Sequence, residues 1–307
     1  MPRFNRTMKS VRSGLRRYPR AIYESLRNAD LACETPDIPD ILQQLCPHEL
    51  AVMWLGHASV VSQIHDLSIV VDPVLSERIG MRLGKRTIGL RRLEPCPIKP
   101  KSLKGVDLIL ITHAHFDHLD LPTLRAIADS HTRVIVPRSC RRLIPPGFGR
   151  IIELYPDEKI ELDGLSIQAI EPEHWGARKV IDRHRGVNSY LIESDGRSVF
   201  FAGDTAMTRA FEHLSEIDLA VFGIGAYEPW EHMHATPEQA WSMFSSLGAR
   251  YLLPVHHSTF ELSDEHVDEP TSRLRQIAGD VYAEKVLEPQ LGELIVIEAP
   301  EHDSQAG

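Results

Sequence analysis

The stretch ILITHAHFDHLD, residues 109–120, joins a strand pattern to a dense group of side chains that bind metals. It continues an apolar run, VDLILI (106–111), of the kind that forms a buried strand. Imidazole nitrogen and carboxylate oxygen suit Zn²⁺ and similar divalent cations. Because four such groups so close together cannot easily all serve one ion alongside distant ligands, the spacing favours two ions that share this loop. The four groups are His113, His115, Asp117 and His118.

Composition places the chain among ordinary globular proteins. It has 307 residues, of which 42% are hydrophobic and 25% charged, enough for a substantial core. No apolar run is long enough for a transmembrane helix. The four cysteines form no CxxC pair, which excludes a disulfide scaffold and a thiolate metal site. Residues 1–20 lack the apolar segment of a secretory signal, so we expect a cytoplasmic protein.

Charge is distributed unevenly along the chain. Residues 1–20 carry seven Lys or Arg and no acid, which leaves a net charge of −16 for the rest of a chain whose total is −9. A second basic stretch, Met81 to Lys104, has eight Lys or Arg and one Glu. The acidic remainder predicts no nucleic-acid partner. The two basic stretches can attract a phosphate group or an anionic membrane.

The first 49 residues differ from the rest in charge and in the spacing of apolar residues, and we interpret them as a basic helical arm followed by a linker. Apolar residues recur in the arm at helical spacing, interrupted by Pro19. Such an arm can pack on its own domain, pack on a partner subunit in a homo-oligomer, or lie on the inner face of a membrane through residues 1–30. Residues 50–300 are predicted to form one domain, and residues 301–307 a disordered tail. The apolar stripe comprises Val11, Leu15, Tyr18, Ile22, Leu26 and Ala29.

From residue 50 onward, short β-runs bounded by Gly, Asp and Pro come first, and helices are interleaved later. This order predicts an α/β protein in which two sheets pack together with helices outside, a four-layer αββα sandwich. No strand is predicted in the basic stretch from Met81 to Lys104. Helices are predicted at Leu121–Ser130, Met207–Leu214, Pro237–Leu247 and Asp264–Ile277.

The HxHxDH motif after a strand resembles the signature of the metallo-β-lactamase superfamily. The resemblance implies the αββα fold and further ligands at later strand ends, where His174, Asp204 and His256 stand. For the last ligand, the family pattern favours His256, and His257 is the alternative. Two divalent ions are implied, Zn²⁺ first, with Mn²⁺ or Fe²⁺ as alternatives. One would lie on His113, His115 and His174, the other on Asp117, His118 and His256, with Asp204 bridging them.

Further segments look like one branch of that superfamily, the N-acylphosphatidylethanolamine phospholipase D branch, which is related to L-ascorbate-6-phosphate lactonases. They are WLGHAS (54–59), VDPV (71–74) and IGAYEP (224–229). The chain departs from the branch at Ala206-Met207, where Gly-Tyr is frequent, and at residues 230–232, where an Arg-Trp pair is replaced. Because these positions face the expected substrate, they leave its identity open.

The implied chemistry is hydrolysis by a hydroxide held between the two ions. Asp117 and Asp204 are the predicted catalytic carboxylates, and His57 is either a donor that faces the substrate or a structural histidine. Asp72 and Asp120 are candidates for fixing the imidazole tautomers. His at position 115, where flavodiiron relatives have Glu, argues against redox chemistry.

The substrate class predicted first is a small-molecule or lipid phosphodiester. Arg91 and Arg92 in the second basic stretch are predicted to hold its phosphate, and Tyr227 and Arg178 to line its pocket. Cleavage of a lactone or another carboxylic ester is the alternative. A third hypothesis, of a different class, is a metal-bearing protein that docks on a membrane without turnover.

Overall fold

The computed structural model describes most of the chain from residue 40 to residue 299. Most of the predicted arm, including the first three residues of its apolar stripe, and the predicted tail at 301–307 lie outside the described residues. The described residues are 19, 21–26, 38, 40–84, 86–178, 182 and 184–299.

The described residues form fifteen β-strands. The strands are β1 Leu50–Trp54, β2 Val60–Ile64, β3 Leu67–Val71, β4 Arg78–Leu83, β5 Arg86–Arg91, β6 Leu108–Leu110, β7 Arg133–Pro137, β8 Arg150–Leu154, β9 Lys159–Leu162, β10 Leu165–Ile170, β11 Ser189–Ser194, β12 Arg197–Phe201, β13 Leu219–Gly223, β14 Tyr251–Val255 and β15 Leu294–Val296. Seven of them form one sheet in the order β15-β1-β2-β3-β6-β7-β8, and six form a second in the order β14-β13-β12-β11-β10-β9.

Five α-helices lie within the described part of the chain, besides helical residues at 19 and 21–26. None of them has the length and apolar character needed to cross a membrane. The five are α1 Ile41–Leu45, α2 Leu121–Ile127, α3 Pro237–Leu247, α4 Glu269–Ala278 and α5 Tyr282–Lys285; short 3₁₀ turns occupy Pro100–Leu103, Arg141–Leu143 and Gly279–Val281.

Helix α3 has the predicted bounds because strong signals stand at both ends. Thr236 and Gln239 form a reciprocal capping box, and Gly248 ends the helix with a φ of 61°. The helix predicted at Met207–Leu214 is wrong. That segment forms turns closed by bonds such as Leu214 N to Phe211 O (3.0 Å), and only these two side chains of the segment pack deeply in the core.

The two sheets pack face to face, as the αββα prediction requires. Along β1, Leu50, Val52 and Trp54 face the opposite sheet, while Ala51 and Met53 face α1. This alternation follows from the two-residue period of a strand, and it lets one strand fill two core layers. Helices α3 and α4 cover the outer face of the second sheet through a third apolar layer.

The basic stretch after Met81 is not a loop. It completes an antiparallel hairpin, β4–β5, that belongs to neither large sheet. The two strands are difficult to recognise in the sequence because they contain few apolar residues and each strand is interrupted by a glycine. Gly80 and Gly89 face each other across the hairpin, where a side chain on either would collide with the opposite backbone.

A tyrosine connects the second sheet to the end of β6. The Tyr190 hydroxyl of β11 is fully buried and donates to the Ile111 carbonyl (2.9 Å), while Asn188 Nδ2 donates to the hydroxyl (3.2 Å). Asn188 N also donates to the Thr112 carbonyl (2.9 Å). The second sheet therefore fixes the backbone directly before His113.

We expect Tyr190→Phe to lower the free energy of unfolding by about 1–3 kcal/mol, because it leaves the buried Ile111 carbonyl without its donor. Urea denaturation followed by circular dichroism measures this. Tyr155→Phe is the matched control, since Tyr155 is 42% exposed, and a surface change of this kind shifts stability by less than about 0.5 kcal/mol. Equal effects of the two substitutions would contradict a stabilising role for the hydrogen bond from the Tyr190 hydroxyl to the Ile111 carbonyl.

Candidate metal centre

The predicted ligands come together at one edge of the sandwich, where strands from both sheets end. Two groups of four side chains have ligand atoms within 4.8 Å of one another. The first sheet supplies the loop after β6, and the second supplies residues that follow β10, β12 and β14. One group comprises His113, His115, His174 and Asp204; the other comprises His57, Asp117, His118 and His256.

Asp204 lies between the two groups. Its Oδ2 is 3.2 Å from His118 Nε2 and its Oδ1 is 3.2 Å from His256 Nε2. Its Oδ2 is also 3.7 Å from Nε2 of both His113 and His174. A carboxylate that reaches both groups has the position expected of a bridging ligand; the second group contains the three predicted ligands and, in addition, His57.

Asp72 orients His118 from the side away from the cluster. The carboxylate is buried and accepts hydrogen bonds from Thr112 N (2.8 Å), Thr112 Oγ1 (2.5 Å) and His118 Nδ1 (2.7 Å). With Nδ1 engaged, His118 presents Nε2 to Asp204, the arrangement in which an imidazole binds a metal. The suggested similar role for Asp120 is wrong, because its carboxylate caps α2 and accepts from Ser76 and Thr123 hydroxyls (both 2.5 Å).

The two inner carboxylates are ionised despite their burial. Burial opposes the charge on Asp204, but the charged His118 and His256 outweigh it and hold the pKa of this carboxyl well below its usual range. The same balance, with His118, His256 and His57 as the partners, holds the pKa of Asp117 well below its usual range. Both side chains are therefore anions at neutral pH.

The histidines divide into charged and neutral members. Burial disfavours the imidazolium of His256 and His118, yet the neighbouring carboxylates raise the pKa of His256 to about 9 and that of His118 well above its usual value. Burial, reinforced by the positive charge of His256, lowers the pKa of His57 to about 3. Burial likewise lowers the pKa of His174 to about 4. Without a bound cation, two imidazolium groups offset the two carboxylates.

Several polar atoms of the cluster are buried without a hydrogen-bond partner in the described residues: Asp204 Oδ2, His118 Nε2 and both ring nitrogens of His256. Asp204 Oδ2 and His118 Nε2 lie 3.2 Å apart, as do Asp204 Oδ1 and His256 Nε2, so these atoms are in ion-pair contact without forming a hydrogen bond. Because Asp204 Oδ2, His118 Nε2 and His256 Nε2 lie close together and are the carboxylate and imidazole atoms that zinc prefers, the residues fit divalent cations of this kind.

Comparison with known proteins agrees with this geometry. Residues 68–257 match the model of the beta-lactamase superfamily domain. The chain belongs to the metallo-β-lactamase superfamily. The predicted family and the predicted αββα fold are thereby confirmed.

Individual superfamily members show how far the likeness extends. An uncharacterized protein of Mycobacterium tuberculosis is 29% identical over 244 residues, which are 73% of this chain and 63% of that protein. N-acyl-phosphatidylethanolamine-hydrolyzing phospholipase D 1 of Caenorhabditis elegans is 27% identical over 250 residues, 74% of this chain and 69% of that one. The crystal structure of isothiocyanate hydrolase from Delia radicum gut bacteria has the same fold, with a TM-score of 0.65 and 19% identity over 81% of this chain and 99% of that one.

His234 is a member of the cluster that the sequence analysis missed. Its Nδ1 lies 3.7 Å from Asp204 Oδ2, and its ring is 5.0 Å from that of His174 and 5.3 Å from that of His256. Burial lowers its pKa well below the usual value, so it is neutral. It stands in a turn segment before α3 and not at a strand end, which is where the superfamily motif directs the search.

His57, predicted either to face the substrate or to be structural, is buried. Only 1% of the residue is exposed, and its Nε2 lies 3.0 Å from Asp117 Oδ2. The imidazole is thus behind Asp117 and positions that carboxylate. His257 has its ring nitrogens within hydrogen-bond distance of Ser258 Oγ (2.9 Å) and the Pro254 carbonyl (3.3 Å), away from the cluster.

Three of the four predicted substrate residues have their polar groups committed to the protein. Arg92 is 4% exposed and donates to the carbonyls of Val74 and Leu55 (2.8 and 2.7 Å). Arg178 donates to the carbonyls of Ala114 and Leu119 (2.9 and 2.8 Å), so it holds the ligand loop. The Tyr227 hydroxyl is 2.8 Å from Glu269 Oε1 on α4. These contacts are structural.

Arg91, the fourth predicted substrate residue, lines a cavity of about 820 Å³ that reaches His256. The cavity lies between the end of β5, the described helical residues near 21 and the loop after β14. Acidic side chains outnumber basic ones in its wall. The acids are Glu24, Glu77, Glu94, Glu261, Asp264 and Glu265.

We expect Zn²⁺ binding to the metal-free protein at pH 7 to release protons, because His118 and His256 are protonated there and a ligating imidazole must be neutral. The apparent affinity should rise with pH until about 9, where His256 loses its proton, by up to about tenfold per unit for each proton displaced. Titration calorimetry in two buffers of different ionisation enthalpy measures the proton count. Identical heats in both buffers would contradict the charge assignment.

Proposed function

We propose that this superfamily member is a metal-dependent hydrolase of phosphodiesters, the class of bond present in a phospholipid head group. The cluster supports this, since Asp204 reaches two complete ligand groups at once. The relationship to a phospholipase D that hydrolyses N-acyl-phosphatidylethanolamine supports the choice of substrate class. In the reaction, water forms a new P–O bond and the ester P–O bond breaks, with a proton delivered to the leaving oxygen.

We infer that two divalent cations are held, one by His113, His115 and His174 and the other by Asp117, His118 and His256, with Asp204 shared. Bound cations of this kind lower the pKa of water to about 7 and polarise the electrophilic centre.

Asp117 is the carboxylate best placed to orient the attacking water. Its Oδ2 is held by His57, whose neutral imidazole donates in the tautomer that carries a proton on Nε2. The side chain of Asp117 is 14% exposed, while that of Asp204 is 2% exposed, so Asp117 faces the open side of the cluster. His234, 17% exposed, is also placed to hydrogen-bond the substrate.

A specific observation favours a second substrate class, a neutral lactone or other carboxylic ester. The cavity beside His256 is lined by six acids against two arginines, Arg91 and Arg92, so its wall carries a net negative charge. Such a wall repels an anionic phosphodiester and leaves a neutral ester unaffected. The same cluster can cleave either bond, so the cavity wall is the feature that discriminates.

We expect Asp204→Asn to abolish retention of about two metal ions per chain and to lower kcat/KM for bis(p-nitrophenyl) phosphate at least about a hundredfold. Mass spectrometry of metals and a colorimetric assay measure the two effects. Asp66→Asn, at an exposed turn, is the matched control and should change neither.

The assay also separates the two substrate classes. Turnover of a lactone or ester panel with no turnover of the phosphodiester would replace the first proposal by the second. Fewer than one metal ion per chain after reconstitution would contradict the ligand assignment itself.

Arg91→Gln tests whether the cavity takes an anion. We expect KM for bis(p-nitrophenyl) phosphate to rise about two- to fivefold, the effect of one exposed charge, with no change for neutral p-nitrophenyl acetate. Arg209→Gln removes another exposed arginine, which is not part of the cavity wall, and should change neither constant. Equal increases for both substrates after Arg91→Gln would contradict a role in phosphate binding.

A further inference from the structure

The strongest unexplained feature outside the metal centre is an apolar surface on the β4–β5 hairpin and the helical residues 21–26. We call it the hairpin surface. Five large apolar or aromatic side chains are exposed there by 42–69% of their area, a concentration that a water-facing surface does not need. They are Ile22, Tyr23, Leu26, Met81 and Leu83.

The hairpin and the helical residues form one packed unit. Ala21 packs against Ile79 and Leu90, and Ser25 Oγ donates to the Gly89 carbonyl (3.1 Å). Ala21 and Ser25 are four residues apart, so they share the helix face that meets the hairpin. Ile22 and Leu26, the two described residues of the apolar stripe predicted from the sequence, are therefore not buried in this contact and are 42% and 55% exposed.

The charge around this surface is positive. Arg82 and Arg86 are exposed beside Met81 and Leu83, and residues 78–91 contain five basic residues and no acid. Glu24 is the one acid in the sequence from 19 to 26, and the 18 residues that precede this segment add six further basic residues. The rest of the chain is strongly acidic, so an anionic partner is attracted to this side and repelled elsewhere.

We propose that the hairpin surface docks on an anionic phospholipid membrane. Apolar side chains flanked by Arg are the composition of elements that lie in a membrane interface, where the apolar groups enter the lipid and the cations meet the head groups. A symmetric contact between two copies would instead bring together two surfaces that both carry the exposed Arg82 and Arg86, which is unfavourable.

Docking there brings the membrane close to the metal centre. A groove of about 500 Å³ runs between Met81 and Arg82 of the hairpin and Phe116 and Leu121 of the ligand loop. Phe116 directly precedes Asp117. The guanidinium of Arg178 lies over the Phe116 ring, 4.2 Å from its centroid, and also donates to the Ala114 carbonyl of the ligand loop. The proposal concerns binding alone and does not depend on which bond is cleaved.

Co-sedimentation of the full chain with vesicles tests the proposal. We expect binding to vesicles that contain phosphatidylglycerol, weak binding to pure phosphatidylcholine, and loss of the difference at high salt. Met81→Asp with Leu83→Asp should weaken binding by at least about tenfold. The matched control is Ile277→Asp with Val281→Asp, two exposed apolar residues near α4, which should leave binding within about twofold.

Three results would overturn the proposal: no binding to either vesicle, equal loss in both double variants, or a dimer in sedimentation velocity that the hairpin double variant alone dissociates. The last result would assign the surface to a second copy of the chain. Unchanged thermal unfolding of the hairpin variant shows that any loss is not a loss of folding. Because vesicle binding is read without turnover, a failure of the proposed reaction leaves this test intact.

Discussion

The structure depends on the burial of two ionised carboxylates, Asp117 and Asp204, among seven imidazoles. A buried charge is tolerated only where partners replace the lost hydration. Here the partners are protons on His118 and His256, or cations that take their place. The same electrostatic requirement therefore explains the raised pKa of these two histidines and why the cluster is a candidate site for divalent cations.

The distances within the cluster are set by the packing of the two sheets. Neither sheet has a complete ligand group, because one supplies the loop after β6 and the other supplies the residues after β10, β12 and β14. Tyr190 and Asn188 connect the second sheet to Ile111 and Thr112 of the first, and Thr112 holds Asp72, which in turn fixes His118. The metal centre is in this sense a property of the interface between sheets.

The proposed substrate classes differ in how they suit elements outside the two sheets. The acidic cavity is bounded by the end of β5 and the loop after β14, and the groove beside Phe116 is bounded by the hairpin. These segments carry opposite charge: the cavity wall is rich in Glu, while the hairpin is rich in Arg. The proposed choice among a phosphodiester, a neutral ester and a lipid surface therefore rests on the loops around the candidate metal centre.

The sequence by itself determined the fold, the candidate ligands and the bounds of α3, because these depend on local signals: periodicity, caps, and histidines at strand ends. Only the tertiary structure decided what surrounds each ligand. Arg92, Arg178 and Tyr227 bind protein groups that are distant in sequence, and no local pattern reveals such partners. His234 enters the cluster from a turn, and the hairpin forms from a stretch whose glycines and arginines obscure its alternation. Caps, periodicity and the position of a ligand after a strand depend on neighbouring residues in the sequence. The burial of a side chain and its hydrogen-bond partners depend on how distant segments pack.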